Sequence, residues 1–240
     1  MTLKEAHLAF DIEVDKSGVD GYSSFIRTEK DYFLNAAITR LYKTKYSGNN
    51  VHGKSFQQNQ KRSDDFRLIT KTLVLAPASV NGNKYTYIFP SDYWFALGET
   101  FSISSTSPSW PVQNDAPVIK KVDAIECTIE NIDNRLNNSL SDHILNRDKA
   151  RPLRVYVGDS IIVYTDGNYS ISSYELTYMK KPSILNWNST SPGYSNDTTQ
   201  LDAVPDHMWD EVISTAARIA LENISDYRYQ TYPNESRSVE

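Results

Sequence analysis

The residue types that carry chemistry are present but scattered. The histidines His7, His52, His143 and His207 have no second metal ligand at helical or finger spacing. The nearest grouping, His207 with Asp210 and Glu211, fits the dipole and capping preferences of a helix start. None of the nine glycines belongs to a phosphate-cradling cluster, and no Gly-x-Ser-x-Gly elbow occurs. The segment "DHILNRDKARP" contains Arg147-Asp148, but no histidine directly precedes that pair and no Asp-Phe-Gly follows. It reads as a charged loop entering the strand at Leu153. Asp11 with Glu13, and Glu126 with Glu130, are acidic pairs of the kind glycosidases use, yet their spacing equally fits solvent faces of a helix and a strand. Cys127 is the only cysteine, so no intrachain disulfide forms. In "AIECTIENI" it alternates with Glu126 and Thr128 as a small apolar group on a buried strand face. A nucleophilic thiol would need a base and an electropositive setting, and neither is local. The expectation is no catalytic residue, no metal and no cofactor.

The basic segments point the same way. "DGNYSISSYELTYMKKP", residues 166–182, alternates like a strand and ends in Lys180, Lys181 and Pro182. A phosphate or glycan site there would need convergent partners. Lysines at a strand end more simply guard against unwanted pairing, and the proline stops it. Lys54, Lys61 and Arg62 sit beside Asp64 and Asp65 in a polar stretch that reads as a solvated loop.

The elements that must position these residues follow from pattern. The chain has 240 residues, 39% of them hydrophobic, enough to bury a core without staples. Its net charge of -5 argues against a dedicated nucleic-acid binder. No run approaches the roughly 18 apolar residues of a membrane span. "MTLKEAHLAFDIEVDK" lacks a signal-peptide core, so synthesis in the cytosol is expected and the Asn-x-Ser/Thr sequons are read as compositional. "LKEAHLAFDIEVDK" predicts a short helix with Leu3, Leu8 and Ile12 on one face. "TEKDYFLNAAITRLYKTKY" predicts a longer one, capped at Thr28, with Leu34, Ile38, Leu41 and Tyr42 inward and Gly48 as its stop. "NKYTYIFP", "VDAIECTIENI" and residues 152–182 predict strands, with turns at Asn81-Gly82, Gly158-Asp159 and Asp166-Gly167. "VPDHMWDEVISTAARIALENISDYRYQT" is the clearest helix, capped at Asp206. Its apolar face comprises Trp209, Val212, Ile213, Ala216, Ile219, Ala220 and Ile224. Two Ser/Pro-rich loops, 102–117 and 186–200, hold Trp110 and Trp187 as candidate exposed aromatics, each either a contact anchor or a ring tucked against its own domain.

The predicted class is α+β: an antiparallel β-sandwich or barrel-like domain inserted between N-terminal helices and a long C-terminal helix that pack together. By residue this means helices over 1–46 packing with 205–230, a polar loop over 47–66 and the β domain over 67–185. A second polar loop covers 186–204, the closing helix 205–230 and a flexible tail 231–240.

Taken in order, "EKDYFLNAAITRLY", "VGDSIIVYTDGNYSISSYELTYMKKPSIL" and "PDHMWDEVISTAARIALENISDYRYQT" resemble the structural ring proteins of crAss-like tailed bacteriophages of gut Bacteroides. The architecture is more distantly similar to head-to-tail adaptor, or tail tubular, proteins. The matching residues are Tyr178, Lys180, Lys181 and Pro182 at the strand end, then His207, Met208, Asp210 and Glu211. The resemblance implies a virion protein of the neck or tail, assembled in the host cytoplasm into a homo-oligomeric, twelve-fold ring. Its partners would be the portal and other ring proteins, with DNA passing through without sequence-specific binding and no membrane involved. The Tyr and Trp content leaves a second class open, a carbohydrate- or receptor-binding β module.

Overall fold

The computed structural model describes residues 1–15, 25–47, 64–187, 194–195, 201 and 203–223. The chain forms two compact units, one from 1–69 with 182–240 and one from Thr70–Lys181. The second unit is inserted within the first.

The helical unit contains α1 (Leu3–Asp15), α2 (Arg27–Ser47) and α4 (Trp209–Asn223), with α4 packed on both others. A full capping box starts α1: the Thr2 hydroxyl accepts the Glu5 N–H (3.3 Å) and the Glu5 carboxylate accepts the Thr2 N–H (2.8 Å). The bond to the Thr2 backbone holds the Glu5 carboxyl below the usual glutamate range. The buried face is Leu3, Ala6, Phe10 and Val14, whereas Leu8 and Ile12 are exposed. At 3.6 residues per turn Leu8 lies about 140° around from Leu3, so the expected face could not form. α2 begins one residue before Thr28, which is not its cap. Instead Glu29 reaches back to the Ile26 N–H (2.9 Å). Leu34, Ile38 and Tyr42 are buried as the spacing predicts, and Leu41 is only half-buried. Gly48 and Ile224 lie outside the described residues.

α4 is preceded by a 3-10 turn, Asp206–Met208, so Asp206 opens that turn rather than capping the α-helix. The small residues Ala216, Ala217 and Ala220 are fully buried, which lets α4 approach its neighbours closely. Tyr42 donates its hydroxyl to the Ala203 carbonyl (2.8 Å), and burial pushes its phenol pKa up. Short strands β12 (Ile184–Leu185) and β13 (Tyr194–Ser195) pair in parallel within this unit.

The inserted unit is a sandwich of two open sheets, and among the described residues neither closes into a barrel. One has the order β1 (Thr70–Leu75), β11 (Ser170–Lys180), β4 (Tyr93–Ser104), β7 (Lys120–Val122). The other runs β2 (Ser79–Asn81), β3 (Lys84–Ile88), β10 (Ser160–Tyr164), β9 (Leu153–Val157), β8 (Ile125–Glu126). Between the sheets lie Tyr87, Ile161 and Val163 from one, and Phe101, Tyr174 and Leu176 from the other. Tyr174 stacks on Phe101 at 4.4 Å and meets Tyr87 edge-on at 4.8 Å. A smaller core on the far face of β9 joins Leu153 and Val155 to Cys127 and to Ile132 of the short helix α3 (Ile132–Leu136).

Three expectations change here. β8 is two residues long and pairs in parallel with β9, so Cys127 is buried just beyond it while Ile129 is exposed. Asp166-Gly167 is not a hairpin turn: β10 and β11 belong to different sheets, and the chain crosses between them at this corner. Gly167 is required there, with φ +85 and only 2.7 Å between an added Cβ and Asn83 Oδ1. The 102–117 loop supplies a core residue, Trp110, at 2% exposure, and a small hairpin of β5 (Val112–Gln113) and β6 (Ala116–Pro117).

Candidate assembly surfaces

The polar residues gather into clusters whose geometry is structural. On α1 and α2, His7 Nε2 meets Asp31 Oδ1 at 2.8 Å, and Asp31 Oδ2 accepts the Trp187 N–H at 3.0 Å. The His7 ring stacks on Trp187 (5.1 Å), and the Arg27 guanidinium lies 4.5 Å from the same indole. A His-Asp dyad would need an open face, but these two side chains are 7% and 8% exposed. Trp187 thus anchors within its own unit.

Asp65 changes role. It was expected in a solvated loop, yet its side chain is 2% exposed, with Lys45 at 2.9 Å and His207 at 2.7 Å. Lys45 also holds Glu211 at 2.6 Å, so α2, the 64–69 turn and the start of α4 share one charge network. That is where His207 and Glu211 are used. Lys54, Lys61, Arg62 and His52 lie outside the described residues.

In the sandwich, Arg154 and Tyr156 of β9 face the other sheet. Arg154 Nη1 binds Glu99 Oε1 at 2.9 Å, and the Tyr156 hydroxyl donates to the same carboxylate. Burial pushes the Glu99 carboxyl above the usual glutamate range, with Tyr156 and Arg154 offsetting part of the rise. Burial, then the Glu99 bond, raises the Tyr156 phenol. Glu126 reaches Arg154 at 3.3 Å from the surface, and Asp11 binds Lys30 at 2.6 Å. Burial works against the charged form of Asp92, yet the Tyr178 hydroxyl (2.7 Å) and Lys71 hold it below the ordinary aspartate range. β11 ends at Lys180, and the N–H of Lys181 just beyond it bonds the Asp92 carbonyl at 2.8 Å. Arg147-Asp148 is a turn, with Asp148 held by Lys120 at 2.7 Å. His143 is buried, which lowers its pKa, and burial raises that of the Cys127 thiol. Among the described residues no three His, Cys, Asp or Glu side chains could hold a metal.

What the molecule offers a partner is surface. On the helical unit a concave patch along α2 is lined by Tyr32, Ala36, Thr39, Arg40 and Lys43. Leu8 and Ile12 form an apolar ridge on α1. On the sandwich, β1 is an edge strand with Leu73 and Val74 exposed, and the β5–β6 hairpin exposes Val112. Aromatic rings that would stack on a sugar, Tyr87, Phe101, Tyr174 and Trp110, are instead core. Neither the β1 edge nor the hairpin was visible beforehand, because an edge is defined by sheet order. Asn114-Asp115, which turns the hairpin, was the one local signal.

A family model described as phage tail ring protein 3/4 matches residues 1–221. No curated protein matches the chain. Among the described residues no helix is long and apolar enough to cross a membrane.

Proposed function

Because the chain belongs to the phage tail ring protein 3/4 family, a structural component of the virion tail, we propose that it forms a homo-oligomeric ring in the neck. This ring connects the portal vertex to the tail and surrounds the DNA exit channel. The observation that carries the reading is the family match across both compact units. Supporting it, the chain is net acidic, and a wall of like charge lets a polyanion slide rather than bind. The outer face of the four-stranded sheet is also polar, with Thr72 facing Thr177 at 3.0 Å, Thr100 facing Glu175 and Ser102 facing Ser173. Twelve copies, matching the portal, and assembly in the host cytoplasm belong to the same proposal.

Electron microscopy of the purified chain, alone and mixed with portal, tests it. Rings with a central channel that seat on the portal are expected. A chain that stays monomeric in both samples, at concentrations well above those of assembly in a cell, defeats the reading.

A further inference from the structure

We infer that copies of this chain join through the β5–β6 hairpin of one copy laid against the open edge of β1 in the next. This rests on the ring reading above.

The hairpin is held out from a fixed base. Trp110, 2% exposed, donates its indole N–H to the Val118 carbonyl at 2.7 Å, and the Val118 N–H bonds the Pro111 carbonyl at 2.9 Å. Beyond that base every residue from Val112 to Pro117 is exposed, Val112 at 64%, and Ile119 on the returning limb at 62%. Asn114 (φ 51) and Asp115 (φ 61) are both left-handed, as a two-residue type I′ turn requires. A ladder of two residue pairs is marginal in water by itself. An apolar arm built this way is stable where another surface receives it.

β1 is such a surface. Sheet edges are normally blunted by brevity, proline or lysine. Edges β7 and β2 have three residues each and β8 has two. β1 has six, contains no proline, and its one lysine, Lys71, lies near the start and pairs with Asp92. From Lys71 to Leu75 the backbone makes no bond on the side away from β11 among the described residues. The chemistry matches: laid antiparallel with Val112 opposite Val74, the arm places Asp115, the only charge in "VQNDAPVI", opposite Lys71, the only charge in "TKTLVL". Pro117 cannot donate, and it pairs with Val112 in the ladder, so β5 is the limb able to extend the β1 sheet. Arm and edge are different patches, so the contact is heterologous and repeats head to tail. Pairing β1 with another β1 would instead stop at a two-fold dimer.

Disulfide trapping tests this in the full chain carrying Cys127→Ala. Under oxidation, a mixture of Val74→Cys and Val112→Cys chains is expected to give linked dimers, while each alone gives none. One chain carrying both substitutions gives a ladder of linked multimers. Independently, Val74→Lys with Val112→Lys, both on exposed positions, puts like charges across the joint, and should keep the circular dichroism of the parent and raise the half-assembly concentration about tenfold or more. Linked dimers from Val74→Cys alone overturn the inference. So do rings seen by microscopy that trap no mixed dimer, and this result leaves the ring reading standing. Absence of any ring overturns both.

Discussion

Removing Arg154 tests the interior of the sandwich most directly. Its side chain is 11% exposed and that of Glu99 is 10%, so water cannot replace either partner. In Arg154→Leu the Glu99 carboxylate keeps its burial and the Tyr156 hydroxyl but loses its cation. Breaking a buried pair from one side costs about 3–5 kcal/mol. Adding Glu99→Leu removes the stranded charge and leaves only the Tyr156 hydroxyl without its acceptor, a loss of about 1–3 kcal/mol. The double variant should therefore be more stable than Arg154→Leu. The effect of pH has a definite sign. The folded pKa of Glu99 lies above the 4.5 of a free glutamate, so the native state binds the extra proton. This group favours folding at pH below 4.5, and that contribution falls as pH rises through the window from 4.5 to the folded value. Loss of Arg154 widens the window upward. Arg154→Leu should thus be less destabilising at pH 5 than at pH 7, relative to the parent at each pH. The assay is urea unfolding read by hydrogen exchange in peptides from β4 and β9, which reports this unit alone. Equal losses at both pH values, with a double variant as unstable as the sum of the singles, would refute the reasoning.

Two further substitutions probe the sandwich. Trp110→Ala empties a core site and removes the bond to Val118, so a loss of about 3–5 kcal/mol is expected, with faster amide exchange across 111–119. Exchange there that matches the parent would mean the arm is not based on Trp110. Gly167→Ala forces a side chain into left-handed backbone and against Asn83, and should cost about 1–3 kcal/mol by thermal unfolding. An unchanged midpoint would count against the tight corner.

How much of this was legible depended on whether the signal was local. α2 and α4 were, because Leu34, Ile38 and Tyr42, and Trp209, Val212, Ala216 and Ala220, repeat at the helical period and are buried by it. The β9–β10 hairpin was, through Gly158-Asp159 between alternating strands. The α1 face was legible too, since Leu3, Ala6, Phe10 and Val14 carry the right period, but leucine and isoleucine drew the choice to the wrong side. Asp166-Gly167 announces a turn without saying which sheet comes next. Asp65 beside Lys45 and His207, and Arg154 beside Glu99, are meetings of distant segments. Trp110 looked like loop because serine and proline surround it, and burial is decided by neighbours in space. The edge of β1 depended on sheet order in the same way.

The insertion of one unit inside the other sets an order of events at the ribosome. α1 and α2 emerge early, but α4, which packs on both, is made only after the whole of Thr70–Lys181. The sandwich has all its strands once Lys181 has cleared the exit tunnel, whereas the helical core waits for Trp209–Asn223. The faces of α1 and α2 that pack on α4 therefore stay without that partner throughout translation of the inserted unit. α1 and α2, made before the inserted unit, complete their packing after it, reversing the usual N-to-C sequence of co-translational folding. Any helical-unit surface that depends on α4 becomes available only after Trp209–Asn223 has been made, which keeps subunits still lacking α4 from joining through it.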